Sequence, residues 1–259
     1  IVTRIGDDGF GRLLTAMWQA EGVEIAAVTI DRDAPTGLYF VRHGPDGHAF
    51  EYRRAGSAAS RLSPDTLPLR QLAEADILHL SGITQAISPS ARSAADAAMA
   101  AARRAGARIS YDPNLRLALW PLETARPVLL DALSRADIAL PGLEDARALT
   151  GLSDPHRIVA DLRARGPEIV ALTLGADGAL LSAGDTVAEV PGLPVDAVDA
   201  TGAGDCFDGA FLARLVAGDS PMRAARYAAA AASLSTSGYG AVACIPYPDA
   251  VAEAMARLR

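Results

Sequence analysis

The chain has 259 residues, half of them hydrophobic, and its formal net charge is −7. No apolar run reaches the roughly 20 residues of a membrane-spanning helix, and the charges are scattered along the chain. The sequence therefore predicts a soluble protein with neither nucleic-acid nor membrane partners.

Lysine is absent from the chain, and this absence restricts the possible chemistry. Schiff-base catalysis and a Walker-type phosphate lysine are excluded, so any phosphate must be bound by backbone amides, arginines or a metal ion. The two cysteines, Cys206 and Cys244, are too few for a disulfide framework, and the four histidines lack zinc-ligand spacing. The small number of cysteines fits a reducing compartment, so we expect a cytoplasmic protein.

Short apolar runs rich in β-branched residues predict strands, and helical spacing of Ala, Leu and Arg predicts helices between them. The predicted strands are 23–30, 76–80, 107–112, 136–141 and 168–174. Predicted helices cover 88–106, 203–217, 221–237 and 248–258. The alternation predicts an α/β fold with a doubly wound, mostly parallel sheet flanked by helices.

Residues 36–54 interrupt this alternation with two strand-like runs around His43-Gly44-Pro45-Asp46-Gly47, a pattern typical of a hairpin. We expect a β lid over 34–56, inserted in one core domain made of 1–33 and 57–259. The exposed strands of such a lid could also pair with a second copy, giving a homo-oligomer.

The stretch VDATGAGDCFDG (198–209) joins an extended segment to a helix that begins near Asp205. The small residues Gly202, Ala203 and Gly204 let the backbone approach a ligand, and the first amides of the helix predict an anion site. Asp205 could take a proton from a hydroxyl group while the amides stabilise a transferring phosphoryl group. A tight turn with a favourably placed acid is the simpler alternative for so short a motif.

VDATGAGDCFDGAF resembles the signature of the ribokinase-like, or PfkB, carbohydrate kinases. The resemblance covers essentially the whole chain, including GDDGFG (6–11), ADILHLSG (75–82), YDPNLR (111–116) and the GxxG of 175–178. It implies a ribokinase-like fold, with Asp205 as the catalytic base and Gly202, Ala203 and Gly204 as the anion hole. Family members begin some tens of residues earlier, so the resemblance predicts that an N-terminal strand and sugar-binding segment are missing from this sequence.

Within the family, several segments are similar to 2-keto-3-deoxygluconate kinases, and this likeness implies a substrate site. Its residues would be Tyr39, Tyr52, Arg54, Ile83 and Arg116. Guanidinium groups bind a carboxylate in bidentate fashion, so two arginines favour a sugar acid over a neutral sugar.

The resemblance also implies ATP and Mg²⁺ as cofactors. Thr173 stands where a lysine is common in the family, so nucleotide contacts near Thr173, Gly175, Gly178, Gly202 and Gly204 would depend mainly on backbone groups. Asp145 would fill the acidic, indirect role in metal binding, while Gly142 supplies no side chain.

The expected function is ATP-dependent phosphorylation of a primary hydroxyl of 2-keto-3-deoxygluconate or a close relative. A kinase for a neutral sugar such as fructose or ribose is the alternative within the enzyme class. A catalytically inactive fragment or a binding module is the alternative outside it.

Overall fold

The computed structural model describes residues 1–44 and 47–257, without the side chains of residues 43, 44 and 47–50. The chain forms two compact units. The first consists of Ile1–Ala107 with Arg116–Pro121, and the second of Arg108–Leu115 with Leu122–Arg259. The predicted division into one core domain and a lid stays a prediction.

The first unit contains five strands and four α-helices among its described residues. In chain order these are β1 (Thr3–Gly6), α1 (Gly9–Ala20), β2 (Val28–Asp31), β3 (Leu38–Gly44), β4 (Gly47–Arg53), α2 (Leu69–Ala73), β5 (Ile77–Ser81), α3 (Gly82–Ala86) and α4 (Pro89–Ala105). β1 and β2 pair in parallel. Short 3-10 turns at Ala58–Arg61 and Pro64–Thr66 lead from β4 to α2.

The strand predicted over 23–30 is shorter than expected and begins later. β1 offers only the four residues Thr3–Gly6, which pair with Val28–Asp31. Residues 23–25 have no regular secondary structure, and a turn at 26–27 follows, with the Val28 N–H donating to Ile25 O at 2.9 Å. The length of the neighbouring strand therefore overrides the β propensity of this run.

The helix predicted over 88–106 forms as α4, and both of its ends follow from the sequence. The Ser88 hydroxyl accepts the Ala91 N–H at 3.0 Å, and Pro89 occupies the first turn, where its missing N–H costs nothing. Gly106 ends the helix in the left-handed region at φ 84°. The buried face is nearly all alanine, and it packs against α2, α3 and β5.

The predicted hairpin is present as β3 and β4, which pair antiparallel from Leu38↔Arg53 to Gly44↔Gly47. Pro45 and Asp46 of the predicted turn lie outside the described residues. The pairing places Tyr39 directly opposite Tyr52, so both aromatic rings stand on one face of the hairpin.

The second unit carries a sheet in the order β10-β9-β8-β7-β6. Its elements are β6 (Arg108–Asp112), α5 (Leu122–Ser134), β7 (Ile138–Ala139), α6 (Leu143–Thr150), α7 (Pro155–Arg165), β8 (Ile169–Thr173), β9 (Ala179–Ala183), β10 (Thr186–Val190), α8 (Ala203–Val216), α9 (Pro221–Ser235) and α10 (Pro248–Ala256). β6, β7 and β8 are parallel, and β9 and β10 continue the sheet antiparallel.

The helices of the last third pack through small side chains. The buried face of α9 consists of alanines and Ser235, which lets α8 approach closely. Cys206, Ala230 and Val251 join α8, α9 and α10 in one apolar cluster. Among the described helices, none combines the length and apolar character that crossing a bilayer requires.

In the first unit, Asp8 joins the start of α1 to the segment after β2. Its carboxylate accepts the Gly11 N–H at 2.8 Å as the helix cap, and it also accepts the N–H and the hydroxyl of Thr36, both at 2.8 Å. These bonds favour the ionised form, and they lower the pKa of Asp8 below its ordinary value.

We predict that Asp8→Ala destabilises the protein by about 1–3 kcal/mol at pH 7, because the cap and both Thr36 bonds are lost. Since the folded-state pKa is depressed, this stabilisation is present above the unfolded value near 3.8 and disappears as pH falls through the folded value. Urea unfolding between pH 3 and pH 7 measures it. Asp7→Ala, whose side chain is 55% exposed, is the matched control and should change stability by less than about 0.5 kcal/mol. Equal effects of the two variants would contradict the prediction.

Candidate active site

The turn before α8 is fixed by one buried carboxylate. Asp199 is 5% exposed and accepts the Thr201 N–H at 2.9 Å, the Thr201 hydroxyl at 2.7 Å and the Gly240 N–H at 2.9 Å. Gly202 then takes φ 81°, a left-handed conformation that favours glycine, and α8 begins at Ala203. The start of the helix is thereby held by bonds to the turn itself and to the segment at Gly240.

Of the three amides predicted to form an anion hole, one is already used within the fold. The Ala203 N–H donates to Ala200 O at 3.1 Å, so Ala203 cannot donate to an anion without breaking this bond. Within the described part of the chain, the amides of Gly202 and Gly204 have no such acceptor. They lie at the positive end of the α8 dipole, where an anion is stabilised.

Asp205 is exposed in the first turn of α8, so its carboxylate can meet a ligand. Asp208 follows three residues later and is only 3% exposed. Burial, followed by the negative charges of Asp112 and Asp205, raises the pKa of Asp208 well above its usual range. The two acids of this helix therefore have different environments, since Asp205 is exposed and Asp208 is buried.

A cavity of about 430 Å³ lies beside the start of α8, entirely within the second unit. It brings together five of the residues predicted at the catalytic and nucleotide sites, namely Thr173, Gly175, Gly178, Ala203 and Gly204. Two different parts of the sequence, the GxxG after β8 and the GAGD at α8, therefore meet at one cavity. Gly202 and Asp205 adjoin these residues in the chain but do not line the cavity.

The remaining walls of this cavity were not predicted. They come from the connection 192–197 and from α9, and their lining residues are mostly small or apolar, including Leu193, Val195, Ala229, Ala232 and Ser233. The alanine-rich composition of α9 was the available signal, but most of its alanines pack in the core. Apolar walls next to free amides suit a ligand with a flat apolar part and an anionic part.

In the first unit, four of the predicted substrate residues form a cluster. The rings of Tyr39 and Tyr52 lie 6.1 Å apart, and the Arg54 guanidinium lies 5.8 Å from the Tyr39 ring centre. Arg54 is partly buried, and its pKa is lowered first by burial and further by the nearby positive charge of Arg116. The Arg54 Nε has no hydrogen-bond partner among the described residues.

Ile83, the fifth predicted substrate residue, shares a second cavity with Arg54. This cavity measures about 580 Å³, belongs to the first unit, and is lined mainly by β5 and the apolar side chains around it. Tyr39, Tyr52 and Arg116 do not line it. Arg54 thus connects the aromatic cluster of the hairpin with the cavity along β5.

Asp145 stabilises the loop that follows β6. Its Oδ2 accepts the Leu115 N–H at 2.8 Å, and Asp112 Oδ1 accepts the Asn114 N–H at 2.9 Å. Asn114 adopts φ 36°, which is uncommon for a residue other than glycine and occurs often near functional sites. Residues 1–44 and 47–257 contain no group of three or more acids, histidines or cysteines arranged to hold a metal ion.

Comparison with known proteins identifies the family to which this chain belongs. Residues 1–248 match the model of the pfkB family carbohydrate kinases. A ribokinase-II-type protein from E. coli, solved with ATP and Mg²⁺, has a TM-score of 0.92 and 28% identity, over 99% of this chain and 82% of that one. The chain belongs to the pfkB family, and the predicted ribokinase-like fold and carbohydrate kinase class are confirmed.

Two groups of curated relatives are about equally similar. The 2-dehydro-3-deoxygluconokinase of Thermoproteus tenax is 36% identical over 100% of this chain and 80% of its own length. Fructokinase-1 of Zea mays is 36% identical over 95% of this chain and 79% of its own length. Sequence identity therefore leaves the sugar undecided.

We predict opposite effects for two glycines of the cavity. A Cβ at Gly204 meets no atom within 4 Å, so Gly204→Ala should leave the free energy of unfolding unchanged or raise it by up to about 1 kcal/mol. The added methyl group should obstruct the cavity and weaken ATP binding about tenfold. Gly178 has φ 94°, and a Cβ there would lie 2.1 Å from Val190 O, so Gly178→Ala should cost at least about 2 kcal/mol. Thermal unfolding with and without ATP separates the two effects. Unchanged ATP binding by Gly204→Ala would contradict the assignment of this cavity.

Proposed function

We propose that this kinase transfers the terminal phosphoryl group of ATP to a primary hydroxyl of 2-keto-3-deoxygluconate or a closely related sugar acid. The observation that carries the proposal is the pair of arginines, Arg54 and Arg116, whose positive charges act on one another. A carboxylate bound between them would offset this repulsion and supply acceptors for their N–H groups.

The surroundings of Arg54 strengthen this preference for an acid. Within the described residues, the ionisable groups that act on the charge of Arg54 are the phenols of Tyr39 and Tyr52 and the guanidinium of Arg116, and no carboxylate is among them. A partly buried cation without an anionic partner is costly, and Arg cannot escape this cost by losing its proton near neutral pH. A bound sugar acid would offset part of this cost, whereas a neutral sugar would leave it in place.

For the transfer step, we assign Asp205 as the base that accepts the proton of the attacking hydroxyl group. The amides of Gly202 and Gly204 would donate to oxygens of the transferred phosphoryl group, where negative charge develops. ATP supplies the phosphoryl group. The cavity between the GxxG and α9 supports this assignment through its apolar walls and through Gly204, whose unpaired amide belongs to a residue of its lining.

For Mg²⁺, the protein residues present suit an ion carried mainly by the nucleotide. Mg²⁺ commonly keeps several waters and binds substrate phosphates with only one or two carboxylates. Asp145 remains our candidate for an indirect contact, although one of its oxygens accepts the Leu115 N–H. Its substitution would therefore disturb the loop after β6 as well.

Two further expectations belong to the proposal. We place the enzyme in the cytoplasm, and we expect a homo-oligomer formed through the β3–β4 hairpin. In support of the latter, Phe40 is 56% exposed on this hairpin, and a two-stranded hairpin alone is at best marginally stable.

A kinase for a neutral sugar is the second candidate, because the maize fructokinase is as similar as the archaeal sugar-acid kinase. A protein that binds ATP or sugar without turnover is the alternative outside catalysis. A coupled assay across fructose, ribose and 2-keto-3-deoxygluconate, with ATP binding measured in parallel, separates all three.

We predict that Asp205→Asn lowers kcat by about 10²- to 10⁴-fold, because the hydroxyl proton loses its acceptor. The side chain is exposed, so the variant should fold and bind ATP like the unchanged protein. Steady-state kinetics and ATP titration measure the two properties. Asp131→Asn, an exposed acid on α5, is the matched control and should leave kcat unchanged. Turnover by Asp205→Asn within a few-fold of the unchanged protein would refute the assigned base.

We predict that Arg54→Gln lowers kcat/KM for the sugar acid by about 10- to 100-fold, since a charge-assisted bond to the carboxylate is lost. The KM for ATP should not change. The neighbouring Arg53 is 63% exposed and pairs with Glu51, so Arg53→Gln is a control expected to have little effect. An equal loss of kcat/KM with fructose and with the sugar acid would show that Arg54 does not bind the carboxylate.

A further inference from the structure

The loop between β6 and α5 carries Arg116 and has no regular secondary structure. Its segment Arg116–Pro121 packs within the first unit, whereas the residues on either side of this segment belong to the second unit. The Leu119 N–H donates to Arg116 O at 2.8 Å and closes a turn over four residues. Without strand or helix bonds, the conformation of such a turn depends on the side chains that anchor its ends.

Trp120, the residue after this turn, is anchored on α4. It is only 7% exposed, whereas Leu117 within the turn is 58% exposed. The Arg92 guanidinium lies over the Trp120 ring, 5.2 Å from the ring centre. The Arg92 Nε also donates to Gln85 O at 3.3 Å, so this cation is held by α3 as well as by the ring. A cation and an aromatic face attract one another, and the attraction is larger where water is excluded.

The contact uses the face of the indole ring rather than its N–H group. Trp120 Nε1 is buried and has no hydrogen-bond partner among the described residues. A phenylalanine at this position would therefore lose no hydrogen bond within the fold, and it would keep an aromatic face for Arg92. The contact between ring and guanidinium can thus be tested separately from hydrogen bonding.

We propose that Trp120 and Arg92 are positioning residues, which hold Arg116 at the distance from Arg54 that binding of the substrate carboxylate requires. This inference rests on the proposed function, which assigns the carboxylate to those two arginines. Arg54 follows β4 and Arg116 lies on the loop, so the separation of their guanidinium groups depends on where the loop is anchored. Bonds between guanidinium and carboxylate groups need a defined geometry, and a small displacement weakens them. Trp120 and Arg92 act through Arg116 and are assigned no contact with the substrate.

The first test compares Trp120→Leu with Trp120→Phe in the intact protein. We expect Trp120→Leu to raise the KM for 2-keto-3-deoxygluconate about tenfold, with kcat and the KM for ATP changed by less than about twofold. Trp120→Phe should stay within about threefold of the unchanged protein, because the aromatic face remains. Trp18→Leu removes the other tryptophan of the chain, on α1 in the same unit, and is the matched control expected to leave the KM unchanged.

A packing role alone would lower stability without acting through Arg116, so the second test is a double-mutant cycle with Arg116→Gln. When Arg116 is already replaced, Trp120→Leu should raise the KM for the sugar acid by less than about twofold. Its effect on the urea midpoint of unfolding should be the same in both backgrounds. If Trp120→Leu does not fold, Arg92→Met takes its place in both tests, because it removes the cation and keeps an unbranched side chain.

The outcomes separate this inference from the proposed function. A rise in KM of about tenfold in both backgrounds would overturn the inference, as would equal KM values for Trp120→Leu and the unchanged protein. If Arg116→Gln raises the KM for the sugar acid while Trp120→Leu does not, the inference fails and the proposed function stands. If Arg116→Gln leaves that KM unchanged, the assignment of the carboxylate to Arg116 fails, and the inference fails with it.

Discussion

The direction of a few peptide N–H groups at the start of α8 is the constraint on which the proposed chemistry depends. Asp199 sets it by accepting two bonds from Thr201 and one from Gly240. Because that carboxylate is buried and accepts bonds through both oxygens, it holds the turn in a conformation in which the amides of Gly202 and Gly204 have no backbone acceptor within the described residues. Free donors at a helix start are costly to maintain, and this turn keeps them available for a ligand.

In a chain without lysine, backbone amides and guanidinium groups are the main donors for an anion, and the site that we propose in each unit relies on one of them. The cavity of the second unit offers backbone amides between apolar walls, which suits phosphates whose charge is spread over many oxygens. The first unit offers guanidinium groups beside tyrosine rings, which suits a planar carboxylate. Arginine is the less hydrated cation, so it tolerates the partial burial of Arg54 better than lysine would.

Local signals predicted most elements and the motif, whereas features set by distant neighbours were missed. The ends of α4 follow from Ser88, Pro89 and Gly106, which act within one turn of the helix. The length of β2 depends on the four residues of β1 with which it pairs. Whether the Ala203 N–H finds an acceptor within the fold depends on the path of the turn, which brings it to Ala200 O. The walls at 192–197 carry no polar motif, and the burial of Asp208 depends on the tertiary packing around α8.

Because the overall similarity is divided evenly between two substrate classes, our proposal for the sugar depends on the electrostatics of the site. Sequence identity averages over the whole chain, including core positions whose side chains are constrained by packing rather than by the substrate. The proposed site at Arg54 and Arg116 carries a different kind of information, because the positive charges of these two side chains act on one another. Under our proposal, a ligand carboxylate would offset this repulsion, and a neutral sugar would not.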